Sequence, residues 1–231
     1  MSNSKKIDRA CFLGRICTAA GALCSGTLLA AGGEPENGDG KKFRLLDHPQ
    51  RLRNWDDKRS RKVVFLAHCM TNMNARMHDC VDFFASSADP LVRFCLDNQL
   101  GMAVMPCPEL LVTGLGRDRD KPEKDYLKSV LEEPLARERI RKLAEQVVFQ
   151  MKEYRFQGFE MVAMIGNDNS PSCGVELTSF ANPEKRFGPG QGVFIQELKK
   201  LMAQAGIQLP MKGVVKDDRI EDTVAWLKEQ L

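Results

Sequence analysis

The chain has 231 residues, 43% of them hydrophobic and 28% charged, which is enough for one domain with a real core and excludes a disordered tail. The formal net charge is +3. Lys5, Lys6, Arg9 and Arg15 against Asp8 account for all of it, so the rest of the chain is neutral and nucleic acid is not an implied partner. Of the eight cysteines, Cys11, Cys17 and Cys24 precede the domain. The five that remain, Cys69, Cys80, Cys95, Cys107 and Cys173, are an odd set in a chain too large to need staples, which points to metal binding or catalysis rather than a disulfide framework.

Residues 1–33 read as a leader. A basic stretch, KKIDRACFLGR, is followed by residues 16–33 without a single charge and then by a polar exit, EPENGDGKK. This is the layout of an export signal, and Ala30-Ala31-Gly32 offers small residues for cleavage. RACFLG is similar to the twin-arginine motif, with Ala10 in place of the second arginine. The expectation is an exported or membrane-associated, periplasmic protein that contacts a membrane through this leader. An uncleaved anchor and a cytoplasmic protein with an extension are the alternatives. Residues 34–61 read as a polar linker with a short helix around RLRNW, and residues 62–231 as the domain.

In the domain, Val63 to Ala67 is a short apolar run of the kind that forms a fully buried strand. A helix is expected over Asp79 to Ala85, and a second opens at Asp89-Pro90, with Asp89 as N-cap, and runs through Asn98. Met102 to Met105 is the next buried strand, stopped by Pro106, and RDRDKPEKDY follows as a polar loop. Pro134 opens a long helix whose Leu135, Ile140, Leu143, Val147, Met151 and Tyr154, by their spacing, give one buried stripe that ends at Gly158. Met161 to Ile165 is the third buried strand. After the glycine-rich FGPGQG comes a helix with Val193, Phe194, Leu198 and Met202 on one face, ending at Gly206. A short fourth strand at Ile207 to Leu209 and a last helix capped by Asp217 or Asp218 complete the pattern. Strands alternating with amphipathic helices predict an α/β domain with a short parallel sheet and helices on both faces.

Cys69, Cys107 and Cys173 each follow one of the three strands, next to proline, glycine or polar residues. Ligands of open α/β sheets bind outside the carboxyl ends of the strands, so the sheet would bring these three thiols to one edge. Cys80 and Cys95 read instead as small buried hydrophobes. Three thiolates suit an iron–sulfur cluster with three protein ligands, or a zinc site that His68, His78 or Cys80 could close. Besides an enzyme built on such a centre, the alternatives are a zinc- or cluster-containing binding or redox module without turnover, and an enzyme that uses Cys173 as a nucleophile ahead of a helix N-terminus.

AHCMTN, MPCPE and NSPSCG, in this order and followed by GQGVF, resemble the thiouracil desulfidase family, once a domain of unknown function. The resemblance runs from about Lys62 to Leu209. It implies a flavodoxin-like three-layer fold, a 4Fe–4S cluster on Cys69, Cys107 and Cys173, and removal of sulfur from a small thiolated, thiopyrimidine-like substrate. By position in the motifs it also implies Glu109 as general acid or base and Ser170 as a positioning or proton-relay group. The chain departs from the close members in MTNMNARM and in Gly166-Asn167-Asp168-Asn169, where those members carry a second cysteine and a basic stretch. Asn72, Asn74, Asp168 and Asn169 are the expected pocket residues.

Overall fold

The computed structural model describes residues 53–77, 81, 83–117, 126–180, 187–215 and 219–231. The leader, His78, Cys80, and Asp217 and Asp218 as helix caps lie outside the described residues, as does most of the polar loop before Tyr126. Among the described residues no helix is long and apolar enough to cross a membrane.

Four strands, β1 (Lys62–Ala67), β2 (Gly101–Met105), β3 (Glu160–Asn167) and β6 (Met211–Val214), form one sheet in the order β2-β1-β3-β6, with every neighbouring pair parallel. β1 and β3 are central, and the runs Val63–Ala67 and Val162–Gly166 are buried throughout. An apolar side chain on either face of such a strand leaves water, which is why both segments read as unbroken apolar runs rather than alternating ones.

The helices divide into two packed sets. On one side α5 (Pro134–Phe156) lies against α6 (Val193–Gln204) and also meets α3 (Pro108–Thr113), α4 (Tyr126–Glu132) and β3. On the other, α2 (Asp89–Asp97) packs against α7 (Ile220–Lys228), with α1 (His68–Thr71) beside α2. The two sets cover the two faces of the parallel sheet, giving a three-layer α/β domain. In α5 the buried positions are Ala136, Ile140, Ala144, Val147, Val148 and Met151; Ile140, Val147 and Met151 belong to the expected stripe, Leu143 and Tyr154 are half-buried, and Leu135 is exposed instead. Gly158 (φ +74°) and Gly206 (φ +61°) take the left-handed conformation that ends α5 and α6.

Several expectations are corrected. The fourth strand is Met211–Val214, not Ile207 to Leu209. Ile207 donates its N–H back to the carbonyl of Met202 and so belongs to the end of α6, while Pro210 bonds β3 only through its carbonyl. Phe83 and Ala85 to Ser87 are bends, so the described part of the segment expected as a helix is not one. FGPGQG is not only a loop, because Phe187–Pro189 forms β5, antiparallel to β4 (Leu177–Ser179). The end of the expected linker is docked rather than free, and no helix forms over residues 53–56. Trp55 meets Phe159 edge-on at 5.9 Å between centroids, Phe159 meets Tyr154 at 5.6 Å, and Tyr154 meets Phe65 at 6.1 Å. Arg59 lies over the Trp55 ring, and the Glu160 N–H bonds the Arg61 carbonyl where β1 and β3 begin.

Candidate functional site

At the opposite end of the sheet the strand register sets the first two cysteines. Ala67 pairs with Met105, and Cys69 and Cys107 each stand two residues further on. Parallel pairing in register therefore carries both to the same carboxyl edge. Cys69 sits in α1. Cys107 is the N-cap of α3, where its sulfur accepts the N–H of Leu110 at 3.4 Å and Pro108 takes the first helical position.

Cys173 reaches that edge through a loop folded back on β3. The N–H of Asn167 donates to the Cys173 carbonyl at 3.0 Å. A Cβ on Gly166 would lie 2.4 Å from that oxygen, and a Cβ on Gly192 would lie 2.2 Å from the Ser172 carbonyl carbon, so the chain approaches closely on both sides of the loop. The first amides of α6 point at the loop as well. Val193 N–H bonds the Pro171 carbonyl at 2.9 Å and Phe194 N–H the Ser172 carbonyl at 3.0 Å. Asp168, only 3% exposed, accepts the amides of Val175 and Glu176 at 2.7 and 3.0 Å and faces Gly213. Asn169 adopts φ +66°, a turn conformation that asparagine tolerates. Asn72 accepts from the amide and side chain of Asn74 in a local turn. Of the four residues expected to line a pocket, all have identifiable work in shaping turns.

Glu109 joins the segments. Its Oε1 accepts the hydroxyls of Ser170 and Ser172, both at 2.8 Å. Its Oε2 lies 3.4 Å from Nε of Arg117, and the two side chains are almost fully enclosed. Arg117 also donates to the carbonyls of Gly114 at 2.9 Å and Ala75 at 2.5 Å. Ser170 Oγ in turn accepts the amides of Ser172 at 3.2 Å and Cys173 at 3.0 Å. Its one hydroxyl proton goes to Glu109, and its lone pairs hold the turn that presents Cys173. Ser172 Oγ lies 3.4 Å from the Cys173 sulfur and therefore stands between the carboxylate and the thiol.

The thiols are free, and they act on one another electrostatically. Burial pushes the Cys69 thiol up, against the positive charge and hydrogen bond of Arg76. Burial, with the Glu109 charge adding to it, raises Cys107 to about 11. Burial holds Cys173 well above the ordinary thiol value, and the charges of Cys107, Glu109 and Cys69 act in the same direction. An activated nucleophile needs the reverse, so the reading of Cys173 as a nucleophile is disfavoured.

Thiols that resist ionisation by themselves become thiolates when a cationic centre compensates them, and this donor set fits an iron–sulfur cluster. Among the described residues no three His, Cys, Asp or Glu side chains converge on the position of one metal ion. By donor chemistry alone the three thiols would serve either a zinc ion or an iron–sulfur cluster. His68 joins no such group, and His78 and Cys80 are outside the described residues. Cys95 is buried in α2, as expected of a small hydrophobe.

Sequence reasoning brought Cys69, Cys107, Cys173, Glu109 and Ser170 to one edge and missed Ser172, Arg76 and Arg117. Ser172 is in the SPSC motif and carried a signal. Arg117 stands at the head of a charged run that reads as solvated loop, yet it is 8% exposed.

No protein-family model matches the chain. Among curated proteins it is similar to the uncharacterized protein MJ0003 of Methanocaldococcus jannaschii, 24% identical over 117 residues, which is 51% of this chain and 70% of that one. Among solved structures it is similar to a [4Fe-4S]-dependent thiouracil desulfidase, TudS, with 16% identity, 73% of this chain and 99% of that chain covered, and a TM-score of 0.42.

Proposed function

We propose that this chain is an iron–sulfur-dependent desulfidase that hydrolyses a carbon–sulfur double bond in a small thiolated molecule of the thiopyrimidine kind. The observation that carries the reading is the Glu109 carboxylate, which receives two serine hydroxyls at 2.8 Å beside three uncrosslinked thiols at the end of a parallel sheet. The motifs AHCMTN, MPCPE and NSPSCG support it from the sequence.

Cys69, Cys107 and Cys173 would hold the cluster. When bound, it supplies an open iron that takes the substrate sulfur and polarises the thiocarbonyl. The chain's own residues then handle water and protons. Glu109 Oε1 accepts a proton from the attacking water, and the hydroxyls of Ser170 and Ser172 orient that oxygen. Water's oxygen forms the new bond to carbon, the carbon–sulfur bond breaks, and sulfur departs as sulfide with the two protons that water brought. Thiocarbonyl and water become carbonyl and hydrogen sulfide, with no net oxidation.

The test is anaerobic purification followed by metal and sulfide analysis and assay with 2-thiouracil. About four irons with matching sulfide and release of free sulfide from the substrate are expected. Glu109→Gln keeps the iron and loses turnover. A colourless protein with about one zinc replaces the cluster reading with the zinc one. The leader we propose to be an export signal; a mature chain that retains its leader by mass overturns cleavage.

A further inference from the structure

Each cysteine comes from a different part of the chain, and a single side chain is tied to all three parts. Arg117 donates to the carbonyl of Ala75, which closes the segment that carries Cys69. It donates to the carbonyl of Gly114, the C-cap of the helix that Cys107 opens. Its Nε lies 3.4 Å from Glu109 Oε2, an ion pair without hydrogen-bond geometry, and Glu109 Oε1 receives the serines of the Cys173 loop. Arginine suits this place, because a planar guanidinium presents donors in several fixed directions and lysine offers one compact charge.

We infer that Arg117 is the positioning residue of this site, holding Glu109 by one oxygen so that the other is presented to the serines, and fastening the three thiol-bearing segments to one another. The inference rests on the desulfidase reading for its effect on turnover, though not for its effect on the thiols.

The geometry has two consequences. Without Arg117, the Glu109 carboxylate is free to rotate, and Oε1 is no longer fixed on Ser170 and Ser172. The buried carbonyl of Ala75 and the half-buried one of Gly114 also lose a donor, so the Cys69 segment and the end of α3 can move apart. Residues that orient ligands from behind typically change metal affinity or activity by about 10- to 100-fold.

The experiment compares the full chain with Arg117→Lys and Arg117→Gln, each prepared without oxygen. The first readout needs no cluster: the rates at which Cys69, Cys107 and Cys173 of the iron-free protein react with a maleimide, followed by peptide mass, with Cys95 as the internal reference. The second is the iron concentration needed for half-maximal reconstitution. The third is kcat and KM with 2-thiouracil.

In Arg117→Lys the three thiols react about tenfold faster while Cys95 is unchanged. Half-maximal iron rises by a similar factor, and kcat falls with little change in KM. Arg117→Gln is expected to be worse on all three counts, and the partial rescue by lysine separates positioning from bulk. Thiol rates, iron uptake and kcat in Arg117→Lys equal to those of the unaltered chain overturn the inference. A uniform rise that includes Cys95 also overturns it, because that reports general loosening. If Arg117→Gln does not fold, Arg117→Lys decides by itself. If the unaltered chain binds iron and releases no sulfide, the desulfidase reading fails while the thiol rates still judge Arg117.

Discussion

The two ends of the parallel sheet are held by opposite chemistry. Where the strands begin, Trp55, Phe159, Tyr154 and Phe65 meet in a chain of edge-on and tilted ring contacts, and the incoming chain is fixed mostly by apolar contact. Where they end, Glu109 accepts the hydroxyls of Ser170 and Ser172 and is ion-paired with Arg117, while Asp168 accepts the amides of Val175 and Glu176 in the loop that carries Cys173. Apolar contact tolerates small shifts, since its strength follows the area removed from water. Hydrogen bonds to charged groups in an enclosed site do not, because a lost partner leaves a buried polar atom unsatisfied. The first end is built for stability, the second for placement.

The sharpest way to break this contrast is one substitution at each end. Cys107→Ala removes a proposed ligand and should abolish iron binding while changing the melting temperature of the iron-free chain little. Phe65→Ala, in the core at 1% exposure, should lower stability by about 3–5 kcal/mol in urea unfolding. Its iron content per folded chain should stay the same. A Phe65→Ala protein that folds but takes up no iron would show that the two ends are not separable.

A smaller effect comes from the glycines. Gly192→Ala places a methyl against the backbone of Ser172 and Cys173 and is expected to cost about 1–3 kcal/mol and to lower iron uptake. Gly158→Ala, at φ +74° with open space around it, carries only the conformational cost, about 1–2 kcal/mol, and leaves iron uptake as it was. Equal iron uptake in the two variants counts against a tightly placed Cys173 loop.

The smallest effect lies away from both ends. Burial raises the Cys95 thiol from 9.0 to about 11. In the unfolded chain the thiol releases its proton near the ordinary value, while the native chain retains it. The contribution of Cys95 to stability is thus intact below the unfolded value and is lost as pH climbs towards about 11. Urea melts at about pH 8 and about pH 10.5 should show the stability gap between the wild-type chain and Cys95→Ala closing at the higher pH. A gap that stays constant means that Cys95 is not raised.

The sheet was largely legible from the sequence because its strands read as apolar runs: Val63–Ala67, Met102–Met105 and Met161–Ile165 all fall within observed strands, although β2 is an edge strand with only Met105 buried, not the buried strand expected. The position of β6 was not, because Ile207 and Leu209 are apolar, and apolar character alone does not separate a helix end from a strand. β4 and β5 are too short and too polar to carry a pattern. The strand-end cysteines were legible because proline and glycine punctuate the same positions. Arg117 was not. Its role depends on three partners supplied by tertiary structure, and a charged residue in a run of charges looks like solvated surface.

The strand order also has a bearing on timing. β1 and β2 and the first two thiols are complete early in synthesis, but β3 must still pair with β1 before Cys173 can reach its place, and β6 is made only afterwards. If the proposed cluster is bound at this edge, its loading has to wait for that central strand.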